Sequence, residues 1–193
     1  MNWITKFIKP KIESLFKKKT ADSDQILWTT CECKNLIYKE ELQKNFNCCP
    51  KCGAHHKLSC VERFKIFFDN EEYDLINTPL PKDDPINFVD TKKYTDRLKT
   101  ARKITNQDDA VIIATGKVEN IQVTVGAQDF RFIGGSFGSA SGEAFIYGVQ
   151  NAIDNKNPFI FFSCSGGQRM MESSIALMQM SRTVLAVNEL KKN

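Results

Sequence analysis

The sequence has no long apolar run and no strong excess of charge. None of its hydrophobic segments approaches the ~20 residues that a membrane-spanning helix needs. Residues 1–20 contain several lysines but no continuous apolar core and no small-residue cleavage site, so we expect neither a signal peptide nor a membrane anchor. The net charge is only +4. We therefore expect a cytoplasmic protein, in which disulfides are rare.

Most of the excess positive charge comes from the first 20 residues. Apolar residues recur every four positions over residues 4–16, which predicts an amphipathic helix that Pro10 kinks or starts. We expect residues 1–25 to form a basic amphipathic tail and linker. Docking on a partner subunit or on the rest of the chain is favoured over membrane binding. The lysines of this tail are Lys6, Lys9, Lys11, Lys17, Lys18 and Lys19.

Five of the seven cysteines fall between Cys31 and Cys52. They include two close pairs separated by about 15 residues, a spacing typical of zinc ribbons. Each pair supplies two thiolates from a tight turn, and two such turns complete a tetrahedron around Zn²⁺. Four sulfur ligands close the coordination shell, so the site should be structural. The predicted ligands are Cys31, Cys33, Cys49 and Cys52.

The first cysteine pair is one residue shorter than a standard Cys-x2-Cys turn, which leaves the ligand set open. Cys48 is a candidate to replace Cys33 or Cys49. Otherwise Cys48, Cys60 and Cys164 are interpreted as small buried apolar residues. His55 and His56 are interpreted as solvated loop residues, since four sulfurs are already available.

The remaining pattern predicts an α/β arrangement. Short helices are expected over residues 58–68 and 91–104, with an extended connection over 69–90. Two β-rich segments, 110–114 and 122–125, should form a hairpin. A glycine-rich loop, a helix over 143–154 and an apolar strand over 159–162 follow, which together predict a βαβ unit with a parallel strand pair.

Two glycine-rich segments are the candidate site. Residues 165–167 (Ser-Gly-Gly) follow the apolar strand, and the sequence pattern then predicts a helix over residues 169–191. Free N–H groups at a helix start can stabilise an anionic oxygen, such as an enolate or an oxyanion. The other segment, residues 134–142, contains four glycines but matches neither a dinucleotide fingerprint nor a Walker A motif. An ordinary glycine-rich turn is the alternative interpretation.

The motifs in this order resemble the beta subunit family of bacterial acetyl-CoA carboxylase carboxyltransferase. The resemblance runs from about Trp28 to the C-terminus. It rests on Trp28-Thr29-Thr30-Cys31, Cys49-Pro50-Lys51-Cys52, Lys92-Lys93-Tyr94-x-Asp96-Arg97-Leu98, Gly134-Gly135-Ser136-x-Gly138-Ser139, Phe162-Ser163-x-Ser165-Gly166-Gly167-x-Arg169-Met170 and Leu177-Met178-Gln179-Met180.

The resemblance implies an α/β crotonase-like fold, incomplete here, behind a zinc ribbon over residues 26–57. Residues 58–193 would then be the N-terminal part of the carboxyltransferase domain. The implied reaction moves a carboxyl group from carboxybiotin, held on a separate carrier protein, to acetyl-CoA, giving malonyl-CoA. The implied partners are an alpha subunit in an α2β2 arrangement, biotin carboxyl carrier protein and biotin carboxylase.

By the same resemblance, Gly166 and Gly167 would supply one side of an oxyanion hole. The loop carrying Gly134, Gly135, Ser136 and Gly138 would lie near CoA or the partner subunit. Gln168 and Met171 depart from the alanine and glutamine usual in the family. Chains of the family continue well beyond this one and carry the second donor, so we expect this chain alone to be inactive.

Two alternative functions remain open from the sequence. One is a zinc-ribbon nucleic-acid-binding module with a basic tail, although no stripe of aromatic and basic residues accompanies the ribbon. The other is a non-functional gene fragment. The wide apolar face predicted for residues 169–191 would need either a partner or further chain to cover it.

Overall fold

The computed structural model describes residues 27–193, so the predicted tail over residues 1–25 lies outside the described part. The chain divides into two compact units. Residues 27–56 belong to the first, and Lys57–Asn193 form the second.

The first unit is a small ribbon built around a two-stranded antiparallel sheet. Strand β1 (Trp28–Thr30) pairs with β2 (Leu36–Tyr38), and helix α1 (Lys39–Lys44) follows directly. The ring centroids of Trp28 and Tyr38 lie 5.3 Å apart across the strand pair. The core of this unit is Ile37 and Leu42 packed against the cysteines. So small a core is typical of a fold that depends on a metal for its stability.

The second unit contains a four-stranded mixed sheet in the order β3-β4-β5-β6. Its strands are β3 (Tyr73–Ile76), β4 (Val111–Val118), β5 (Ile121–Gln128) and β6 (Phe159–Phe162). The hairpin between β4 and β5 turns at Glu119 and Asn120, both with φ above zero, as a tight two-residue turn requires. Strands β5 and β6 are parallel, which confirms the predicted βαβ pairing.

Four helices accompany this sheet. They are α2 (Cys60–Phe67), α3 (Tyr94–Thr105), α4 (Ser139–Asp154), which connects β5 to β6, and α5 (Ser174–Leu190). Helix α2 begins with a capping box, in which the Ser59 hydroxyl accepts from Glu62 N and the Glu62 carboxylate accepts from Ser59 N. None of the helices in residues 27–193 is both long and apolar enough to cross a bilayer.

Three boundaries differ from the sequence-based expectations. The segment expected to be extended, residues 69–90, contains β3 and a 3₁₀ turn, because an edge strand with two exposed central residues shows little apolar alternation. Helix α4 begins at Ser139, four residues before the expected start. Helix α5 begins at Ser174, because Ser173 has a φ of 51° and interrupts the helix predicted from residue 169.

The largest core cluster packs α2 against the sheet. Phe64 is fully buried, and its ring centroid lies 5.9 Å from that of Phe68 and 5.4 Å from that of Tyr73. Val125 and Ala127 on β5 complete the contact from the strand side.

We expect Phe64→Ala to lower the free energy of unfolding by about 3–5 kcal/mol, because it empties a closed aromatic cluster. Urea unfolding followed by circular dichroism measures this. Val61→Ala on the same helix is the matched control, since Val61 is 39% exposed and should change stability by less than about 1 kcal/mol. Equal losses in the two variants would contradict the assignment of Phe64 to the core.

Candidate functional site

The four predicted zinc ligands converge at one point of the ribbon. The Sγ atoms of Cys31, Cys33, Cys49 and Cys52 all lie within 4.8 Å of one another. Cys31 Sγ is 3.6 Å from Cys52 Sγ, and Cys33 Sγ is 3.8 Å from Cys49 Sγ. A tetrahedral zinc site with bonds of about 2.3 Å separates its sulfurs by about 3.8 Å. The short Cys31-x-Cys33 pair therefore still brings both of its thiols into the cluster.

Cys33 and Cys48 differ in their surroundings. The Asn35 amide, 3.2 Å from Cys33 Sγ, lowers the pKa of this thiol to about 6. Cys48 lies apart from the sulfur cluster, and its Sγ is 3.1 Å from Nδ1 of the exposed His55. The geometry therefore favours the four predicted ligands over a replacement by Cys48.

In the second unit, backbone hydrogen bonds join the two glycine-rich segments, here called the first loop (residues 134–138) and the second loop (residues 163–169). Gly166 N donates to Gly134 O over 2.8 Å. Phe137 N donates to Gly167 O, and Arg169 N donates back to Phe137 O, each over 2.9 Å. The two loops that the sequence singled out separately thus form one structure.

The glycine N–H groups are not placed as the sequence predicted. Both glycines precede the start of α5 by several residues, and Gly166 N already donates to Gly134 O in the first loop. Gly167 N donates to the Ser165 hydroxyl over 3.0 Å, and both residues are exposed. The Ser165 hydroxyl can rotate away from Gly167 N. This N–H group can then donate a hydrogen bond to a ligand.

Gly167 borders a groove of about 520 Å³ in the second unit. Its lining is largely apolar, with Phe137, Phe161 and Met180 among the contributing residues. A donor at the edge of an apolar groove is a common arrangement in small-molecule sites, because low polarity strengthens the few hydrogen bonds present.

The Gln168 side chain lies in this groove beside Gly167. With its amide oriented to satisfy its neighbours, its nitrogen donates to Ala176 O over 2.8 Å and to Phe137 O over 3.1 Å. It thus links α5 to the first loop.

A buried charged cluster lies behind the two loops. The Arg169 guanidinium forms two hydrogen bonds to Asp109, of 2.5 and 2.9 Å, and donates to Ser136 O over 2.6 Å. Burial alone would lower the pKa of Arg169, but the adjacent Asp109 carboxylate raises it above the ordinary value. The Tyr94 hydroxyl donates to Glu172 over 2.7 Å, and burial raises the pKa of this phenol, so it stays protonated.

Sequence reasoning did not assign this cluster a role. Arg169 and Tyr94 belong to the motifs that carry the resemblance, whereas neither Asp109 nor Glu172 is among the predicted site residues. The available signal was the position of Asp109 directly before a run of apolar β residues, where a charge is expected to be paired.

Two further observations concern expectations from the sequence. Cys164 is exposed, so its interpretation as a buried apolar residue is wrong, whereas Cys60 is buried as predicted. Burial raises the pKa of the Cys60 thiol to about 12, which keeps it protonated.

The outward face of α5 carries five apolar residues that are each more than half exposed: Leu177, Met178, Met180, Val184 and Leu185.

Comparison with known families gives two matches. The family described as Carboxyl transferase domain matches residues 84–192, and the Acetyl-CoA carboxylase zinc finger domain matches residues 28–52. The chain is 48% identical to the acetyl-coenzyme A carboxylase carboxyl transferase subunit beta of Pelagibacter ubique (strain HTCC1062), covering 100% of this chain and 63% of that protein. It is 40% identical to the subunit of the same name from Jannaschia sp. (strain CCS1), covering 100% and 60%. It therefore spans less than two thirds of these relatives.

Solved structures share the fold. The transcarboxylase 12S structure with hydrolysed methylmalonyl-coenzyme A bound has a TM-score of 0.53 at 22% identity, covering 79% of this chain and 25% of that one. A Pseudomonas malonate decarboxylase hetero-tetramer in complex with malonate has a TM-score of 0.51 at 20% identity, covering 70% and 47%. The expected crotonase-like α/β fold, present in part behind an N-terminal zinc ribbon, is confirmed.

Elemental analysis should find about one zinc per chain, and Cys33→Ser should lose it, because Cys33 supplies one corner of the sulfur tetrahedron. Cys48→Ser is the matched control and should keep the metal, since its thiol faces His55. The reverse result, with zinc lost from Cys48→Ser and kept in Cys33→Ser, would replace Cys33 by Cys48 in the ligand set.

Proposed function

Because this chain belongs to the carboxyl transferase domain family, we propose that it works as the beta subunit of the carboxyltransferase of acetyl-CoA carboxylase. The proposed reaction moves a carboxyl group from carboxybiotin to acetyl-CoA and gives malonyl-CoA, the precursor for fatty acid synthesis. The reaction passes through an enolate of the thioester, whose oxygen bears the developing charge.

The proposed catalytic contribution of this chain is backbone hydrogen bonding to that oxygen. Gly167 N is the donor that the geometry favours, since only an exposed hydroxyl competes for it. Gly166, the other predicted catalytic glycine, would act by holding the second loop against Gly134. A donor fixed before the reaction stabilises the transition state without reorganisation at the moment of reaction.

The first loop is proposed to face the CoA thioester. Gly134 and Gly135 have φ values of 65° and 63°, and a side chain at Gly135 would collide with the Cys164 carbonyl. In the same loop, Ser136 O accepts a hydrogen bond from Arg169, and a Cβ at Gly138 would lie 3.0 Å from Arg169 Nη1. These contacts fix the loop, so its backbone can present a constant surface to a substrate.

The four cysteines are proposed to hold a structural Zn²⁺. Their sulfur spacing matches a closed tetrahedral site, which leaves no position for substrate. The ion would cross-link the two turns of a ribbon whose own apolar core is small.

The proposed partners are a carboxyltransferase alpha subunit in an α2β2 assembly, biotin carboxyl carrier protein and biotin carboxylase. We also propose a cytoplasmic location, as expected from the sequence. The family match over residues 84–192 does not favour either alternative, the nucleic-acid-binding module or the non-functional fragment. The observation that carries the proposal is the pairing of the two glycine loops at the groove edge, within a chain 48% identical to a named subunit beta.

Gly167→Val should lower turnover about 10²-fold or more, the usual cost of losing one oxyanion donor. Malonyl-CoA formation is measured with carboxybiotin, the alpha subunit and a beta subunit extended to the length of its relatives. Ile121→Val is the control, because Ile121 is 60% exposed beside the β4–β5 hairpin turn and lines neither the groove nor the two loops. Thermal unfolding of both variants separates backbone strain from lost chemistry. Normal turnover in folded Gly167→Val would exclude this donor.

A further inference from the structure

We propose that Arg169 and Glu172 are positioning residues that hold the second loop, and with it Gly167 N, in a fixed place relative to the N-terminus of helix α4. The proposal rests on the proposed function of Gly167 for its kinetic part. Neither side chain faces the groove, and each acts through backbone atoms that it binds.

Arg169 binds the first loop and the start of β4 at the same time. All three guanidinium nitrogens donate: Nε to Ser136 Oγ, Nη2 to Ser136 O and Asp109, and Nη1 to Asp109 and Tyr94. The side chain is fully buried, so each bond forms in a medium of low polarity. Arg169 itself belongs to the second loop, and its fixed guanidinium therefore anchors that loop.

Glu172 connects the end of the same segment to helix α4. One carboxylate oxygen accepts from the Tyr94 hydroxyl, and the other accepts from Ser139 N over 2.6 Å, at the first turn of the helix. The residue at the N-cap is Gly138, which has no side chain to cap the helix. Glu172 takes that role from 33 positions away, and its negative charge interacts favourably with the helix dipole.

The N-cap glycine fits this arrangement sterically. A Cβ at Gly138 would lie 2.5 Å from the nearer Glu172 oxygen and 3.0 Å from Arg169 Nη1. The backbone at Gly138 has φ −112° and ψ −169°, an extended conformation that serine adopts when it caps a helix. Glu172 is therefore the closer of the two side chains that stand against a local cap at this position, and Arg169 Nη1 would have to move by only a few tenths of an ångström.

Two strained residues flank the connected segments. Ile133 has a φ of 49°, although it is β-branched, and Ser173 combines φ 51° with ψ −132°, a region that favours glycine. Such conformations persist only where surrounding contacts fix them. Ile133 directly precedes the first loop, and Ser173 directly follows Glu172.

The test separates two roles of Glu172: holding the second loop in place and capping helix α4. Glu172→Ala removes both roles, whereas Gly138→Ser combined with Glu172→Ala restores a local cap without any link to the second loop. Amide hydrogen exchange is measured by mass spectrometry on the assembled protein. In Glu172→Ala we expect exchange at least about fivefold faster at the start of α4 and in residues 163–169, the scale of a lost cap. In the double variant only the helix start should recover.

Kinetics provide the second readout. A donor displaced by about 1 Å can cost about 10²-fold, so kcat should fall while the KM for acetyl-CoA changes little, and the double variant should keep the defect. Glu143→Ala is the matched control: Glu143 is also on α4 and pairs with Arg182 over 2.6 Å, away from both loops. It should preserve exchange in residues 163–169 and the kcat.

Recovery of both loop protection and kcat in the double variant would overturn the proposal, because Glu172 would then act only as a cap. Unchanged exchange of residues 163–169 in Glu172→Ala would overturn it equally. If Glu172→Ala fails to fold, Glu172→Gln replaces it, since the amide keeps an acceptor for Tyr94 but loses the charge at Ser139 N. Absence of carboxyltransferase activity in the unsubstituted beta subunit, extended to the length of its relatives and combined with the alpha subunit, would contradict the proposed function and leave the exchange result interpretable.

Discussion

The burial of one guanidinium, that of Arg169, is the constraint on which the second unit depends. A charge taken out of water is costly unless it is paired and fully hydrogen-bonded, and removing one partner of such a pair typically costs about 3–5 kcal/mol. Here the partners come from α3, the start of β4 and the first loop. The hydrogen bonds of this one side chain therefore fix the relative placement of three segments that are distant in sequence. The glycine loops can be irregular because this cluster supports them.

Much of the fold followed from local patterns in the sequence. The apolar run at Phe159–Phe162 is strand β6, and the paired cysteines converge at one point as their spacing indicated. These features depend on contacts between near neighbours or on a fixed geometry of ligands. Patterns of this kind are visible in a single sequence.

The features that were missed depend on contacts across long stretches of chain. Asp109 and Arg169 are 60 residues apart, and Ser139 and Glu172 are 33 apart. At the same place the two helix boundaries differ from expectation: Glu172 caps α4 at Ser139, and Ser173, directly after Glu172, has a φ of 51° that delays the start of α5. Glycine spacing likewise pointed to the two loops but could not show that Gly166 N donates to Gly134 O. The partner that a loop N–H group finds depends on the tertiary structure, not on the local sequence.

The pairing of the two loops through backbone atoms has a consequence for how this gene tolerates mutation. Base changes that alter the side chains of Ser163 or Ser165 leave the Gly166–Gly134 and Phe137–Gly167 bonds in place, since these bonds run between peptide groups. Every amino-acid-changing base substitution in a glycine codon adds at least a Cβ, and at Gly135 that atom would collide with the Cys164 carbonyl. Selection against new alleles should therefore fall unevenly over the codons of the two loops, with weaker purging at Ser163 and Ser165 than at Gly135 and the other loop glycines.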